Sequence, residues 1–180
     1  VEAGLSRIGK SRDSITVDDL APVDEFHIGG RPATRHLLEQ LAPALTDSIL
    51  DVGCGIGGPA RMVSTTYGCR VVGIDLTAEF AEAGQEICDW VGLADAVTLR
   101  HGSALEMPFA NAAFDGGYML HVGMNIEDKS ALFAEISRVL KPGSRFGVYD
   151  VMRTDGGALE FPVPWASDPA TSFVDTPSHY

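Results

Sequence analysis

Asp51 and Asp75 each close a short apolar run, and between them lies the glycine-rich turn Gly53-Cys54-Gly55-Ile56-Gly57-Gly58. Glycines at that density weaken the start of a helix, so they mark a place where the backbone must approach a ligand closely. Gly53, Gly55 and Gly58 satisfy the GxGxxG spacing of nucleotide-binding turns, a pattern that serves more than one cofactor. Asp51 discriminates among them. A carboxylate just ahead of the turn suits a cationic amine, directly or through water, and repels a pyrophosphate. Asp75, 17 positions after Gly58, offers an acceptor-only carboxylate to the two hydroxyls of a ribose. NAD would use Asp75 in the same way, and a strand-end cap is the structural alternative, against which the combined pattern speaks. His121 is a candidate to orient a substrate, relay a proton or line the cofactor pocket, and His27 is a second, weaker candidate. A lone histidine at a strand end is also a common hydrogen-bonded structural group. No spacing of His, Cys or acidic residues suits a metal ion, so none is expected.

The segment Ile49-Leu50-Asp51-Val52-Gly53-Cys54-Gly55-Ile56-Gly57 resembles the first motif of class I S-adenosylmethionine-dependent methyltransferases. Val72-Gly73-Ile74-Asp75-Leu76 is similar to their ribose-binding motif, and Gly102-Ser103-Ala104 with Met107-Pro108-Phe109 resembles their adenine-contacting turn. Phe114-Asp115 and Arg138-Val139-Leu140-Lys141-Pro142-Gly143 look like their fourth strand and the approach to their fifth. The resemblance implies S-adenosyl-L-methionine as cofactor, with S-adenosyl-L-homocysteine as product. It also implies that Asp51, Gly53, Cys54 and Gly55 cradle the methionine part, Asp75 the ribose, Leu76 one face of adenine, and Ser103 and Ala104 its edge. Many members carry Asp where this chain has Ser103, and a hydroxyl accepts from an adenine amine more weakly than a carboxylate, which leaves more to the backbone of Ala104. Asp24-Glu25-Phe26-His27-Ile28-Gly29-Gly30-Arg31 and His121-Val122-Gly123-Met124-Asn125 resemble sarcosine, dimethylglycine and related small-amine methyltransferases, with quinone and sterol C-methyltransferases as cousins. By that likeness the first segment, Gly30 included, folds over the cofactor as part of a lid, and the second follows the fourth strand at the substrate mouth. A small-molecule methyl acceptor is implied, an amine nitrogen first.

The elements that must position these residues follow from hydrophobic pattern. Ser48 to Val52 reads as a buried strand, Arg70 to Asp75 as a second, Val97 to Arg100 as a third, Phe114 to Leu120 as a fourth and Phe146 to Val151 as a fifth. Between them, Pro59 suits the start of a helix with Met62 and Val63 on its apolar face. Thr77 is placed to cap a helix carrying Phe80, Ala83, Gly84, Ile87 and Val91 inward, with Gly92 at its end. A further helix from about Ile126 to Leu140 is stopped by Lys141-Pro142-Gly143. Alternation of this kind predicts a doubly wound, mostly parallel α/β sheet with helices on both faces, and a ligand at the carboxyl ends of the strands. Residues 1–46 form a helical or lid segment whose best helix is Ala33 to Leu45, residues 47–151 the cofactor-binding core, and residues 152–180 an irregular, Pro-rich tail. The last two strands of the methyltransferase fold are not found. A chain that opens on Val1 and stops at Tyr180 in that tail reads as trimmed or incomplete, and an open strand edge would invite a homodimer.

The whole chain bounds these readings. Its 180 residues, 45% hydrophobic and 21% charged, suffice for one core. A formal net charge of −12 disfavours nucleic acid as a partner. No apolar run long enough for a membrane span and no secretory leader is seen, so the expected location is cytoplasmic. Cys54, Cys69 and Cys88 are odd in number and read as free thiols. Besides methyl transfer, a cofactor-binding module without turnover and, third, an NAD(P)-dependent oxidoreductase remain. Phe161 and Trp165 are candidates for an aromatic cage around an alkylated amine, against simple packing.

Overall fold

Val, Ile and Leu in short runs, each broken by a turn, give strands buried on both faces, and the chain stacks five of them in parallel. The computed structural model describes residues 2–7, 9–25, 27–154 and 157–180. Three helices, α1 (Glu2–Arg7), α2 (Val17–Asp24) and α3 (Gly30–Leu41), precede the sheet. Then come β1 (Ser48–Val52), α4 (Gly58–Tyr67), β2 (Arg70–Asp75), α5 (Ala78–Trp90), β3 (Val97–His101), β4 (Phe114–Leu120), a 3-10 turn at Gly123–Asn125, α6 (Lys129–Val139) and β5 (Leu140–Tyr149). The order across the sheet is β3-β2-β1-β4-β5, all pairs parallel. Chain order reverses between β1 and β4, so the crevice of the doubly wound fold opens at the carboxyl ends of these two strands.

Alternate residues of the strands feed two cores. Ile49, Val71, Leu99 and Leu120 pack with Leu38 of α3, Val63 of α4 and Cys88 of α5 on one face. Leu50, Val52, Ile74 and Met119 pack with Leu132, Ile136 and Val139 of α6 on the other. A third cluster, Leu5, Ile15, Leu20 and Ile87, fastens α1 and α2 to α5. Cys54, Cys69 and Cys88 are buried free thiols. Among the described residues no helix is long and apolar enough to cross a membrane.

Several boundaries differ from those expected. The helix looked for at Ala33–Leu45 runs Gly30–Leu41 because Pro43 disfavours helical geometry at Ala42, which turns left-handed at φ 47° and donates to Leu38 O at 2.8 Å. Ile126 belongs to the end of the 3-10 turn, and α6 starts after Asp128, whose carboxylate accepts from Ala131 N at 2.8 Å. β5 begins at Leu140, earlier than expected, but its pairing jumps from Phe114↔Leu140 to Gly116↔Arg145, so the Lys141-Pro142-Gly143 stop survives as a bulge inside the strand. Phe80 does not face the core. It is half exposed, and the buried face of α5 is Ala81, Gly84, Ile87 and Cys88. Phe26 of the expected lid lies outside the described residues.

Gly84 shows how tightly α5 sits on the glycine-rich turn. A Cβ there would lie 2.5 Å from Leu99 Cδ1 and 2.7 Å from the carbonyl oxygen of Ile56. Glycine to alanine inside a helix ordinarily stabilises by about 1 kcal/mol. Here the backbone of the turn cannot yield cheaply, so Gly84→Ala is expected to destabilise the fold by about 1–3 kcal/mol, read by urea unfolding; a raised midpoint would contradict this packing.

Candidate functional site

The turn between β1 and α4 must reverse the chain at the sheet's crevice, and glycine makes that possible. Gly53 sits at φ 72°, and a side chain there would drive a Cβ to within 2.2 Å of Val122 Cγ2. Gly55 sits at φ 52°, and a Cβ added to it meets nothing within 4 Å. One glycine is needed for packing, the other leaves room on the ligand side. The turn borders a cleft of about 810 Å3 at the carboxyl ends of β1, β2 and β4. Asp51, Gly53, Cys54, Gly55, Asp75, Leu76, Ser103, Ala104, His121 and His27 all line it. Gly30 does not: it is the first residue of α3, and its carbonyl lies 3.1 Å from His27 Nε2.

Asp51 is 2% exposed. Its Oδ2 accepts from the hydroxyl of the fully buried Tyr118 at 2.9 Å. Burial pushes its carboxyl up to about 7, the charges of Asp75 and Glu25 add to the rise, and Tyr118 opposes it. A carboxylate so placed gains from any cation that enters the cleft. Asp75 is used by the turn as well as offered to the ligand: Oδ2 accepts from Gly55 N at 2.8 Å and Oδ1 from Thr77 N at 2.9 Å. Each oxygen keeps a further lone pair. Leu76, 72% exposed, and Phe80, 50% exposed, form an apolar flank beside it. Ser103 Oγ accepts from Leu105 N at 3.1 Å, so part of its capacity is taken locally. Cys54 is packed rather than reactive, since burial raises its thiol far above the usual range.

The two histidines separate. His27 Nε2 lies 3.0 Å from Thr34 Oγ1 and 3.4 Å from Glu25 Oε2, in a buried knot that ties α3 to the end of α2. His121 has no hydrogen bond to its ring among the described residues that line the cleft. It adopts φ 57°, stacks on Tyr149 at 5.5 Å between centroids, and lies 5.9 Å from the His27 ring. Burial lowers its pKa against the pull of Asp150, so the ring is neutral near pH 7 and can accept a proton.

Sequence reasoning missed Tyr118, Tyr149 and the buried pair of Arg61 with Asp24, 2.7 Å apart. All depend on contacts between residues distant in the chain, although a basic residue inside the apolar first turns of α4 was a visible signal. Phe161 and Trp165 do not line the cleft; the Trp165 indole donates to Ser172 Oγ at 3.0 Å.

The cleft fits S-adenosylmethionine better than a dinucleotide. The amides of Gly53, Cys54, Gly55 and Gly57 already donate to Ile74 O, Ile74 O, Asp75 Oδ2 and Cys54 O, so the turn offers few N–H groups to a pyrophosphate. The ammonium of an amino-acid end, by contrast, finds the Asp51 carboxylate among the lining residues of the same cleft.

A methyltransferase-domain profile matches residues 50–148, which include the turn, Asp75, Ser103 and His121. Over 135 residues the chain is 30% identical to an O-methyltransferase of Pyrenophora dematioidea, an alignment covering 75% of this chain and 51% of that protein. A sterol 24-C-methyltransferase of Eremothecium gossypii is 38% identical over 109 residues, 61% of this chain and 29% of the relative. Geranyl diphosphate C-methyltransferase from Streptomyces coelicolor A3(2), solved with Mg2+, geranyl diphosphate and S-adenosyl-L-homocysteine, superposes with a TM-score of 0.61 at 31% identity, covering 63% of this chain and 43% of that one. The chain thus spans about half, or less, of the length of the relatives it matches. With the Rossmann-like five-stranded sheet and a cleft suited to S-adenosylmethionine as cofactor, the chain belongs to the methyltransferase-domain family.

Proposed function

We propose that this domain serves S-adenosylmethionine-dependent methyl transfer to a small molecule that is neutral or cationic, an amine nitrogen being the first choice. One observation carries the choice of acceptor. Asp24, Asp51, Asp75, Glu127 and Asp128 line the cleft, and no Lys or Arg is among its described lining residues. Such a field favours an acceptor bearing an ammonium group and disfavours phosphates, nucleic acid and other acceptors whose only charge is negative. When bound, the cofactor supplies a methyl group already activated on a sulfonium. The chain's own part is then alignment and proton management. Asp51 and Asp75 hold the two ends of the ligand, Leu76 and Phe80 shield it from water, and Asp24 and His27 bring the end of α2 and the approach to α3 over it as a lid. An amine arriving protonated must lose its proton before it attacks, and the neutral ring of His121 stands at the mouth to take it. The buried thiols of Cys54, Cys69 and Cys88 suit a reducing, cytoplasmic setting.

A second reading is cofactor binding without turnover. Product formation separates the two. Incubation with methyl-labelled S-adenosylmethionine and a panel of small amines, phenols and anionic prenyl or carboxylate compounds should label amines and leave the anions untouched. Labelling confined to the anions would refute the acceptor class, and cofactor binding with no labelling would favour the second reading.

Asn tolerates the left-handed backbone of His121 and removes the base. His121→Asn should lower turnover of an amine by about a hundredfold while S-adenosylhomocysteine affinity changes by less than about threefold; equal losses in both would make His121 a wall rather than a base.

The raised Asp51 carboxyl also sets a pH dependence. At pH 6 it is mostly protonated, and a cation that needs the carboxylate must first displace the proton. Affinity for S-adenosylhomocysteine should therefore rise about tenfold from pH 6 to pH 8, with the slope absent in Asp51→Asn; calorimetry at the two pH values reads it, and a flat wild-type profile would contradict the assignment. In the free protein the sign is opposite. A carboxyl raised on folding favours the protonated native state, so its contribution to stability is lost as pH rises from the ordinary carboxylate range to about 7.

A further inference from the structure

The sheet row in which Asp51 stands decides how its carboxylate is presented to the cleft. Residues paired in register on parallel strands project to the same face. Asp51 therefore shares its row with Gly73 of β2 and Tyr118 of β4, and Tyr118 in turn pairs with Gly147 of β5. Both outer members are glycines, so Tyr118 is the one other side chain in the row. It is fully buried and does not line the cleft. Its hydroxyl donates to Asp51 Oδ2 at 2.9 Å, the single hydrogen bond to that carboxylate among the described residues. Oδ1 has no partner among them, yet it is not sealed from the cleft that Asp51 lines: unlike Asp24 Oδ2, it retains accessible surface.

The groups that face Asp51 are Tyr118 from β4, Asp75 from the end of β2, Glu25 from the N-terminal segment and the Cys54 thiol of the glycine-rich turn. None is a cation, and Tyr118 alone favours the ionised carboxylate. Burial, reinforced by the charge of Asp51, holds the phenol well above its ordinary range, so it stays protonated and remains a donor through neutral pH. A carboxyl free at both oxygens turns easily about χ2, a broad torsion. A fixed donor at Oδ2 removes that freedom.

We infer that Tyr118 is a positioning residue of the ammonium subsite, its hydroxyl holding Asp51 Oδ2 so that Oδ1 is the oxygen left to meet the N–H groups of the cofactor's amino-acid end. The phenol acts through Asp51 and touches no ligand. It also favours the charged carboxylate where burial favours the neutral acid, so it sets the pH range over which the subsite attracts a cation. The inference rests on the S-adenosylmethionine reading and has a separate point of failure.

The test compares S-adenosylhomocysteine with methylthioadenosine, which lacks the amino-acid part, by calorimetry on the full chain. Tyr118→Phe removes only the hydroxyl. It should weaken S-adenosylhomocysteine about tenfold at about pH 6.5 and less than about threefold at about pH 8.5, where the carboxylate regains its charge, and leave methylthioadenosine within about twofold throughout. A loss independent of pH, a loss shared equally by the two ligands, or no loss would overturn the inference. A second measurement leaves Tyr118 intact. In wild-type protein the Tyr118 ring carbon that bears the hydroxyl, followed by carbon NMR, should titrate with the Asp51 carboxyl, and its midpoint should move to lower pH with S-adenosylhomocysteine but not with methylthioadenosine. A ring carbon that ignores the Asp51 titration, or that responds alike to both ligands, would overturn the inference even if Tyr118→Phe did not fold. Wild-type protein that binds neither ligand would overturn the cofactor reading beneath it.

Discussion

A carboxylate buried at the end of the central strand is costly in free energy unless something satisfies it. Asp51 receives one hydrogen bond, from Tyr118, and the rest of its surroundings are acidic or apolar. The strand cannot release it. β1 is paired on both sides, with Asp51 in register with Gly73 and Tyr118, so the group is held where burial keeps it half protonated near neutral pH. The free protein thus carries an electrostatic cost at this site, the cost that a cation in the cleft removes in the proposed function.

The parts around Asp51 are tied into one unit by a small set of contacts. Asp75 fixes Gly55 and Thr77 with its two oxygens, which locks the end of β2 to the glycine-rich turn. Arg61, fully buried, joins Ile56 of the turn, Gly84 of α5 and Asp24 of α2. Movement of the N-terminal helices must therefore be felt at the glycine-rich turn through a buried charge, which is strongly destabilising to leave unpaired. Beyond His121, Asp150, just after β5, accepts from Met124 N at 3.0 Å and from the Tyr180 hydroxyl at 3.0 Å, and Phe173 N donates to Met124 O at 2.7 Å. The 3-10 turn that follows His121 is thus held by residues of the irregular tail.

Much of this was legible in the sequence because the relevant signals are local. The five strands, the turn, and the acids at the ends of β1 and β2 follow from residue types at fixed spacing, and the cleft-facing positions of Asp51, Asp75 and His121 follow from the strand ends on which they sit. What stayed hidden is long-range. Tyr118 reads as one more apolar strand residue until register places it beside Asp51. Phe80 reads as core because helical spacing gives a face and not its direction, and one position of rotation puts it in the cleft instead. Gly30 and His27 share a motif, yet only the histidine reaches the cleft, because the glycine starts α3. The helix bounds Ala33–Leu45 differ from the observed Gly30–Leu41 for a local reason: Pro43 signals the helix end, against an apolar pattern that continues to Leu45.

The most direct test of this account is the titration of the Asp51 carboxyl by carbon NMR, with and without saturating S-adenosylhomocysteine. The account predicts a midpoint near 7 in the free protein, falling to the ordinary carboxylate range when the ligand's ammonium group enters. A free-protein midpoint of about 4, or one that the ligand leaves unmoved, would contradict the claim that a buried carboxylate awaiting a cation organises this site.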